Sequence, residues 1–97
     1  MIFRGSIPAV ITPFLENFEI DLDSLGRHVD DLISNGSHGL VSCGTTGESP
    51  TLSHDEHKKI TEFIIERSKS RVPVMAGCGS NSTKETLDLV DHAKQSG

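Results

Sequence analysis

The sequence has few cysteines, no long apolar run and no cluster of basic residues. Its two cysteines, Cys43 and Cys78, each end an apolar stretch, which favours buried thiols in a reducing compartment over a disulfide framework. No apolar stretch approaches the roughly 20 residues of a membrane helix, so no membrane span is expected. Nine basic residues stand against fourteen acidic ones, and the net charge of −5 argues against nucleic-acid binding.

The first residues lack a basic stretch followed by an apolar one. We therefore expect no secretory signal, and the cytoplasm is the predicted location. A chain of 97 residues can bury a single small core, so one domain is expected rather than two.

Three apolar stretches predict strands, at residues 5–12, 39–43 and 72–79. They recur about every 34 residues, and each is followed by a helical pattern long enough to cross back over a sheet. Strands connected in this way are parallel. Their near-continuous apolar character indicates burial on both faces, as in a doubly wound sheet or a (β/α)8 barrel.

Each helical pattern has a start signal and an apolar face, and Gly36 is expected to stop the first helix. The predicted starts are Asp21 or Asp23, a capping box of Ser53 with Glu56, and a second capping box of Ser82 with Glu85. The predicted buried faces are Leu25, Val29, Leu32 and Ile33, then Ile60, Phe63 and Ile64, then Leu89, Val90 and Ala93. A barrel takes about 250 residues, and the chain stops where a fourth strand should begin, so an N-terminal fragment is expected.

The stretch Gly44-Thr45-Thr46-Gly47-Glu48-Ser49, called here the threonine loop, joins the second predicted strand to the second helix. Its glycines let the backbone turn tightly, and its hydroxyls donate and accept hydrogen bonds. Such a loop suits a small carboxylate or phosphate. The alternative is a turn whose hydroxyls only satisfy backbone groups.

Two other ligand classes are less well supported. The threonine loop resembles a phosphate-binding P-loop but lacks the lysine which that motif requires. His54 and His57, with the two cysteines at neighbouring strand ends, are residue types that bind metals. A helix start suits an anion better than a metal, so no metal site is predicted.

Four parts of the sequence, taken together, match a known enzyme family. They are Gly5-Ser6 with Thr12-Pro13, the threonine loop, Thr51-Leu52 with His54-Asp55-Glu56-His57, and residues 77–83. In this register they resemble the first part of the 4-hydroxy-tetrahydrodipicolinate synthase (dihydrodipicolinate synthase) family. The resemblance implies that residues 1–97 are the first three β/α units of one (β/α)8 barrel domain. It also implies a homotetramer that condenses pyruvate with L-aspartate-4-semialdehyde on the route to lysine, without a cofactor. Two departures, Asn17-Phe18-Glu19 in place of an Asp-Gly turn and Cys78 in place of a threonine, lie outside the substrate loop.

The resemblance also implies roles for particular residues. Thr45 matches the threonine of a proton relay with tyrosines, and Thr46 matches the threonine that holds the pyruvate carboxylate. The family's Schiff-base lysine is expected beyond Gly97, because the five lysines present lie on predicted helices, which cannot reach a site at the carboxyl ends of the strands. The chain also has no tyrosine, so the rest of the relay is missing from it. The fragment alone is therefore expected to be inactive. It is also expected to fold poorly and to aggregate, because its third strand would be an exposed edge and its helix faces would be uncovered.

A regulatory site for L-lysine is implied as well. The matching residues are Ser49, Pro50, His54, His57, Asn81 and Glu85. Glu85 has a structural alternative, as the capping-box partner of Ser82.

Two other functions stay open. A sister pyruvate-dependent aldolase, such as N-acetylneuraminate lyase or a keto-deoxy sugar acid aldolase, shares the barrel and the lysine, although the two adjacent threonines favour the synthase. A non-catalytic module that binds small anions at the threonine loop is the alternative of another class.

Overall fold

Three helices pack around a short parallel sheet in the computed structural model, which describes residues 3–97. The strands are β1, Leu40–Ser42, and β2, Val74–Ala76; the helices are α1, Leu22–Ser34, α2, His54–Ser68, and α3, Thr83–Ser96. A 3-10 turn, Ser49–Thr51, begins at the last residue of the threonine loop and precedes α2. None of the helices within residues 3–97 has the length and apolar character needed to cross a bilayer.

The sheet is parallel, as predicted, but its strands are shorter than expected. β1 pairs with β2 from Leu40 opposite Val74 to Ser42 opposite Ala76. The prediction of a first strand over residues 5–12 is wrong in extent, because this segment meets β1 only through a parallel bridge between Ala9 and Val41.

The backbone explains why the first segment forms so short a ladder. The Val10 N–H donates to the Val41 carbonyl at 2.9 Å, and the Val41 N–H donates to the Pro8 carbonyl at 3.0 Å. Pro8 has no N–H for the preceding rung. At the other end, Cys43 turns the backbone into the left-handed region with a φ of 52°. The segment of residues 5–12, β1 and β2 therefore lie side by side, with β1 in the centre.

The predicted start and stop of α1 are confirmed, and so is the capping box of α2. The Asp21 carboxylate accepts from the Ser24 N–H at 3.0 Å, and Gly36 follows the helix end with a φ of +100°. At α2, Ser53 Oγ accepts from the Glu56 N–H at 3.2 Å while Glu56 Oε1 accepts from the Ser53 N–H at 2.9 Å.

The core lies between β1 and the inner faces of α1 and α2. Its buried members are Val10, Leu25, Val29, Leu40, Cys43, Ile60 and Ile64, and Leu32, Ile33 and Phe63 pack partly buried against them. Two expectations of burial are wrong. Val90 on α3 is 46% exposed and Met75 in β2 is 43% exposed, so both lie on faces that the rest of residues 3–97 leave partly open. Cys43 is buried as predicted, whereas Cys78 is only partly buried.

An ion-pair cluster joins α1 to the end of α2. Asp30 accepts hydrogen bonds from Arg67 at 2.7 Å and from Arg71 at 2.8 Å. These hydrogen bonds, Arg67's above all, lower the pKa of Asp30 to about 2. The cluster holds the two helices together at the end of the molecule opposite to the threonine loop.

Candidate functional site

The threonine loop is a closed turn at the carboxyl end of β1. The Gly47 N–H donates to the Gly44 carbonyl at 3.0 Å, and the Glu48 N–H donates to the Thr45 carbonyl at 2.9 Å. Cys43 before the loop and Glu48 within it both have positive φ, at 52° and 61°. Left-handed backbone is uncommon for residues other than glycine and is held in place here by the surrounding contacts. The loop therefore has a defined shape.

Thr45 and Thr46 sit at the exposed tip of this turn. Their hydroxyl and N–H groups form no hydrogen bond with any other residue in 3–97, whereas the N–H groups of Gly47, Glu48 and Ser49 are used inside the loop. The donors that the loop leaves for a small anion are therefore the two threonine hydroxyls and the N–H groups of Gly44, Thr45 and Thr46, and donors of this kind suit a carboxylate.

Thr12, to which sequence reasoning gave no role, contacts the loop from the first segment. Its side chain is 4% exposed, and its hydroxyl donates to the Gly47 carbonyl at 2.7 Å. The pairing spans 35 residues of sequence. The sequence signals for Thr12 are its position at the end of the first apolar stretch and the place of Thr12-Pro13 among the stretches that resemble the family, and neither indicates the contact with Gly47.

A cavity of about 330 Å³ lies beside the loop, between the starts of α2 and α3. The six residues predicted for L-lysine, Ser49, Pro50, His54, His57, Asn81 and Glu85, all line it, together with Leu52, Gly79, Ser80 and Leu89. Ser49 belongs both to the threonine loop and to the cavity wall. The tertiary structure thus brings together residues from two helix starts and the loops before them.

The second predicted capping box is only half formed, so that prediction is wrong in part. Ser82 Oγ accepts from the Glu85 N–H at 3.4 Å, but the Glu85 carboxylate does not return to the Ser82 N–H. Ser80 Oγ accepts from that N–H at 3.2 Å and itself donates to Glu85 Oε2 at 2.6 Å. The carboxylate therefore faces the cavity, where it lies 3.8 Å from His54 Nε2.

His57 is largely enclosed, with 6% of its surface exposed. Its Nε2 lies 2.6 Å from the Gly77 carbonyl, and because a carbonyl only accepts, Nε2 carries the proton and donates. Gly77 is tightly packed, since a Cβ there would stand 2.5 Å from the Cys43 carbonyl oxygen. His57 thus fastens α2 to the end of β2, and only its other ring nitrogen is left for a ligand.

A family model described as the dihydrodipicolinate synthetase family matches residues 2–97. The chain belongs to this family.

Similar proteins agree with that assignment. The chain is 58% identical over 95 residues to the 4-hydroxy-tetrahydrodipicolinate synthase of Rhizobium meliloti, covering 98% of this chain and 32% of that protein. The dihydrodipicolinate synthase structure from Aquifex aeolicus matches with a TM-score of 0.94 and 47% identity, over 98% of this chain and 32% of that one. A chloride-inhibited dihydrodipicolinate synthase from Acinetobacter baumannii, complexed with pyruvate, has a TM-score of 0.93 and 42% identity, over 96% and 32%. The chain spans about a third of these relatives, and the predicted α/β architecture is confirmed.

The cysteines of this family member offer no reactive thiolate. Burial raises the pKa of Cys43 to about 11 and also raises the pKa of Cys78. Cys43 Sγ contacts the His57 carbonyl at 3.5 Å, as a weak donor. Across residues 3–97, no group of three or more His, Cys, Asp or Glu side chains is placed to hold a metal ion.

Proposed function

We propose that the protein to which this chain belongs condenses pyruvate with L-aspartate-4-semialdehyde to form 4-hydroxy-tetrahydrodipicolinate. The observation that carries the proposal is the pair of exposed threonines in a closed loop at a strand end, in a chain that matches the family over residues 2–97. Active sites of (β/α)8 barrels lie at the carboxyl ends of the strands. The similar structure that holds pyruvate supports this substrate.

Within this reaction we assign different roles to the two threonines. Thr46 binds the pyruvate carboxylate, for which its hydroxyl and N–H are suitable donors. Thr45 passes a proton between the reacting centre and tyrosines supplied by the rest of the barrel, since a hydroxyl both donates and accepts.

The nucleophilic lysine is expected from outside this chain. A lysine must lose its proton to form a Schiff base with the pyruvate ketone. Lys58 forms an ion pair with Asp88 at 2.8 Å, and this contact raises the pKa of Lys58, which keeps the amine protonated. We infer that these three β/α units are completed to a (β/α)8 barrel, that the whole protein is a homotetramer, and that it works in the cytoplasm.

We further propose that the cavity binds L-lysine as a feedback inhibitor. The Glu85 carboxylate at its wall complements a cationic amine, and Asn81 can donate and accept toward an amino acid. The start of α2 favours a carboxylate through its unsatisfied N–H groups and helix dipole. The volume of about 330 Å³ is at the lower end of the usual range for small-molecule sites.

A chimera tests the proposed reaction, with this chain replacing the matched third of the Rhizobium meliloti relative. Borohydride reduction in the presence of pyruvate should add one reduced pyruvate per chimera subunit, and the chimera should consume L-aspartate-4-semialdehyde. The 97-residue chain alone should gain no adduct, and an adduct on one of its own lysines would refute the assignment of the nucleophile. Cleavage of N-acetylneuraminate would indicate the sister aldolase, and pyruvate binding without an adduct would indicate a binding module.

Two substitutions in the chimera separate the threonine roles. Thr45→Val keeps the shape and removes the relay hydroxyl, so it should mainly lower kcat. Thr46→Ala should mainly raise KM for pyruvate. Wild-type kinetics in both variants would reduce the loop to a structural turn.

A further inference from the structure

The threonine loop needs a support that its own hydrogen bonds do not supply. The bonds from Gly47 to Gly44 and from Glu48 to Thr45 connect residues within the loop. They close the turn, but they do not set its position relative to the neighbouring segments. Catalytic and binding groups must be held to within a fraction of an ångström, and residues behind the site usually provide that support.

Thr12 is suited to this task. It is buried in the first segment, and its hydroxyl donates at 2.7 Å to the Gly47 carbonyl, one residue after Thr46. The contact is close packed as well, since a Cβ on Gly47 would stand 3.0 Å from the Val10 carbonyl oxygen and 3.3 Å from Thr12 Oγ1. The loop thus rests directly on the first segment, and the hydroxyl bond fixes where it rests.

We propose that Thr12 is a positioning residue that clamps the threonine loop through Gly47 and so sets the places of the Thr45 and Thr46 hydroxyls. Thr12 itself stays behind the loop, because its hydroxyl is occupied by the Gly47 carbonyl. The inference rests on the proposed function for its kinetic consequence, whereas the clamp itself concerns only the position of the loop.

Valine and serine separate the hydroxyl from the shape of the side chain. Thr12→Val keeps the shape and leaves the buried Gly47 carbonyl without its donor. Thr12→Ser keeps the donor and loses a methyl group. Thr61→Val is the matched control, because Thr61 on α2 is also buried, and its hydroxyl lies 3.1 Å from the Ser42 hydroxyl and 3.9 Å from Cys43 Sγ but bonds no residue of the threonine loop.

The experiment measures pyruvate KM, kcat and amide hydrogen exchange in the chimera described above. We expect Thr12→Val to raise KM for pyruvate and lower kcat, with kcat/KM reduced at least tenfold. The loop N–H groups of Gly47 and Glu48 should exchange at least tenfold faster. In Thr12→Ser, kcat/KM and the exchange rates of these N–H groups should stay within about threefold of the parent values. Thr61→Val should leave the loop exchange rates unchanged.

The outcomes distinguish this inference from the proposed function. If Thr12→Val behaves like Thr61→Val in both kinetics and exchange, the positioning role is refuted even in an active enzyme. If the parent chimera has no condensation activity, the proposed function fails, and loop exchange alone then decides for or against the clamp. Faster exchange with unchanged kinetics would overturn the claim that the clamp places the two threonine hydroxyls.

Discussion

The starts of α2 and α3 carry the same Ser-x-x-Glu motif and use it differently. At α2, Ser53 and Glu56 satisfy each other's backbone N–H groups in a reciprocal pair. At α3, Ser82 caps the helix alone, and Glu85 points into the cavity, where Ser80 and His54 contact its carboxylate. One glutamate completes a helix end, and the other is available to a ligand.

The difference originates outside the motif. Ser80 lies two residues before the cap, and its hydroxyl oxygen accepts the hydrogen bond from the Ser82 N–H that Glu85 would accept in a complete capping box. The α2 start has Thr51 in the equivalent place, and the Thr51 hydroxyl donates to the Glu48 carbonyl instead. A residue with no part in the motif thus decides whether its carboxylate is structural or available.

The largest effect is expected for L-lysine inhibition. In the chimera, Glu85→Gln removes the charge proposed to bind the amine while keeping the size of the side chain. The L-lysine concentration for half inhibition should rise at least tenfold, corresponding to about 1.4 kcal/mol. Glu56→Gln, at the matching position of α2, should leave inhibition unchanged. Equal inhibition of both variants would remove Glu85 from the proposed site.

Alanine substitutions of the two cap residues, Ser53 and Ser82, should lower the free energy of unfolding by different amounts. Ser53→Ala breaks a reciprocal pair and should cost about 1 to 2 kcal/mol. Ser82→Ala loses a single 3.4 Å bond and should cost about 0.5 kcal/mol. Urea unfolding of the two chimera variants provides the comparison. A larger loss for Ser82→Ala would contradict this ranking of the two caps.

Ser80→Ala should make the two helix starts more alike. Without the Ser80 hydroxyl, the Glu85 carboxylate can turn to the Ser82 N–H and complete the box, so stability should change by less than about 0.5 kcal/mol. Glu85→Ala should then cost more in the Ser80→Ala background than in the parent, which a double-mutant cycle measures. Additive effects would show that Ser80 does not divert the carboxylate.

The smallest effect concerns the ion pair between Lys58 on α2 and Asp88 on α3. The hydrogen bond from Lys58 lowers the pKa of Asp88 below its ordinary 3.8. The resulting stability is present above pH 3.8 and is lost as the pH falls through the lowered pKa. Asp88→Asn should therefore flatten this part of the stability profile slightly, because exposed pairs contribute little. Lys58→Met should have the same effect, and different profiles for the two variants would exclude the pair as the cause.

Much of the fold was predictable because its signals are local. The spacing of Leu25 and Val29, the cap at Asp21 and the stop at Gly36 depend on residues within a few positions of one another. The predictions for the extent of the first strand and for the burial of Val90 and Met75 were wrong. Strand length depends on partners elsewhere in the chain, and burial depends on which surfaces other elements cover.

For the candidate site, sequence motifs alone predicted the threonine loop and the cap of α2, and the family resemblance predicted the six residues that line the cavity. The tertiary structure decided what those residues do to one another. In the folded chain, His57 Nε2 donates to the Gly77 carbonyl, and the Glu85 carboxylate accepts from Ser80 instead of from the Ser82 N–H. The Thr12 hydroxyl donates to the Gly47 carbonyl, 35 residues along the chain. Local patterns set backbone conformation through short-range sterics and hydrogen bonds, whereas contacts between distant residues form only when the elements that carry them pack together.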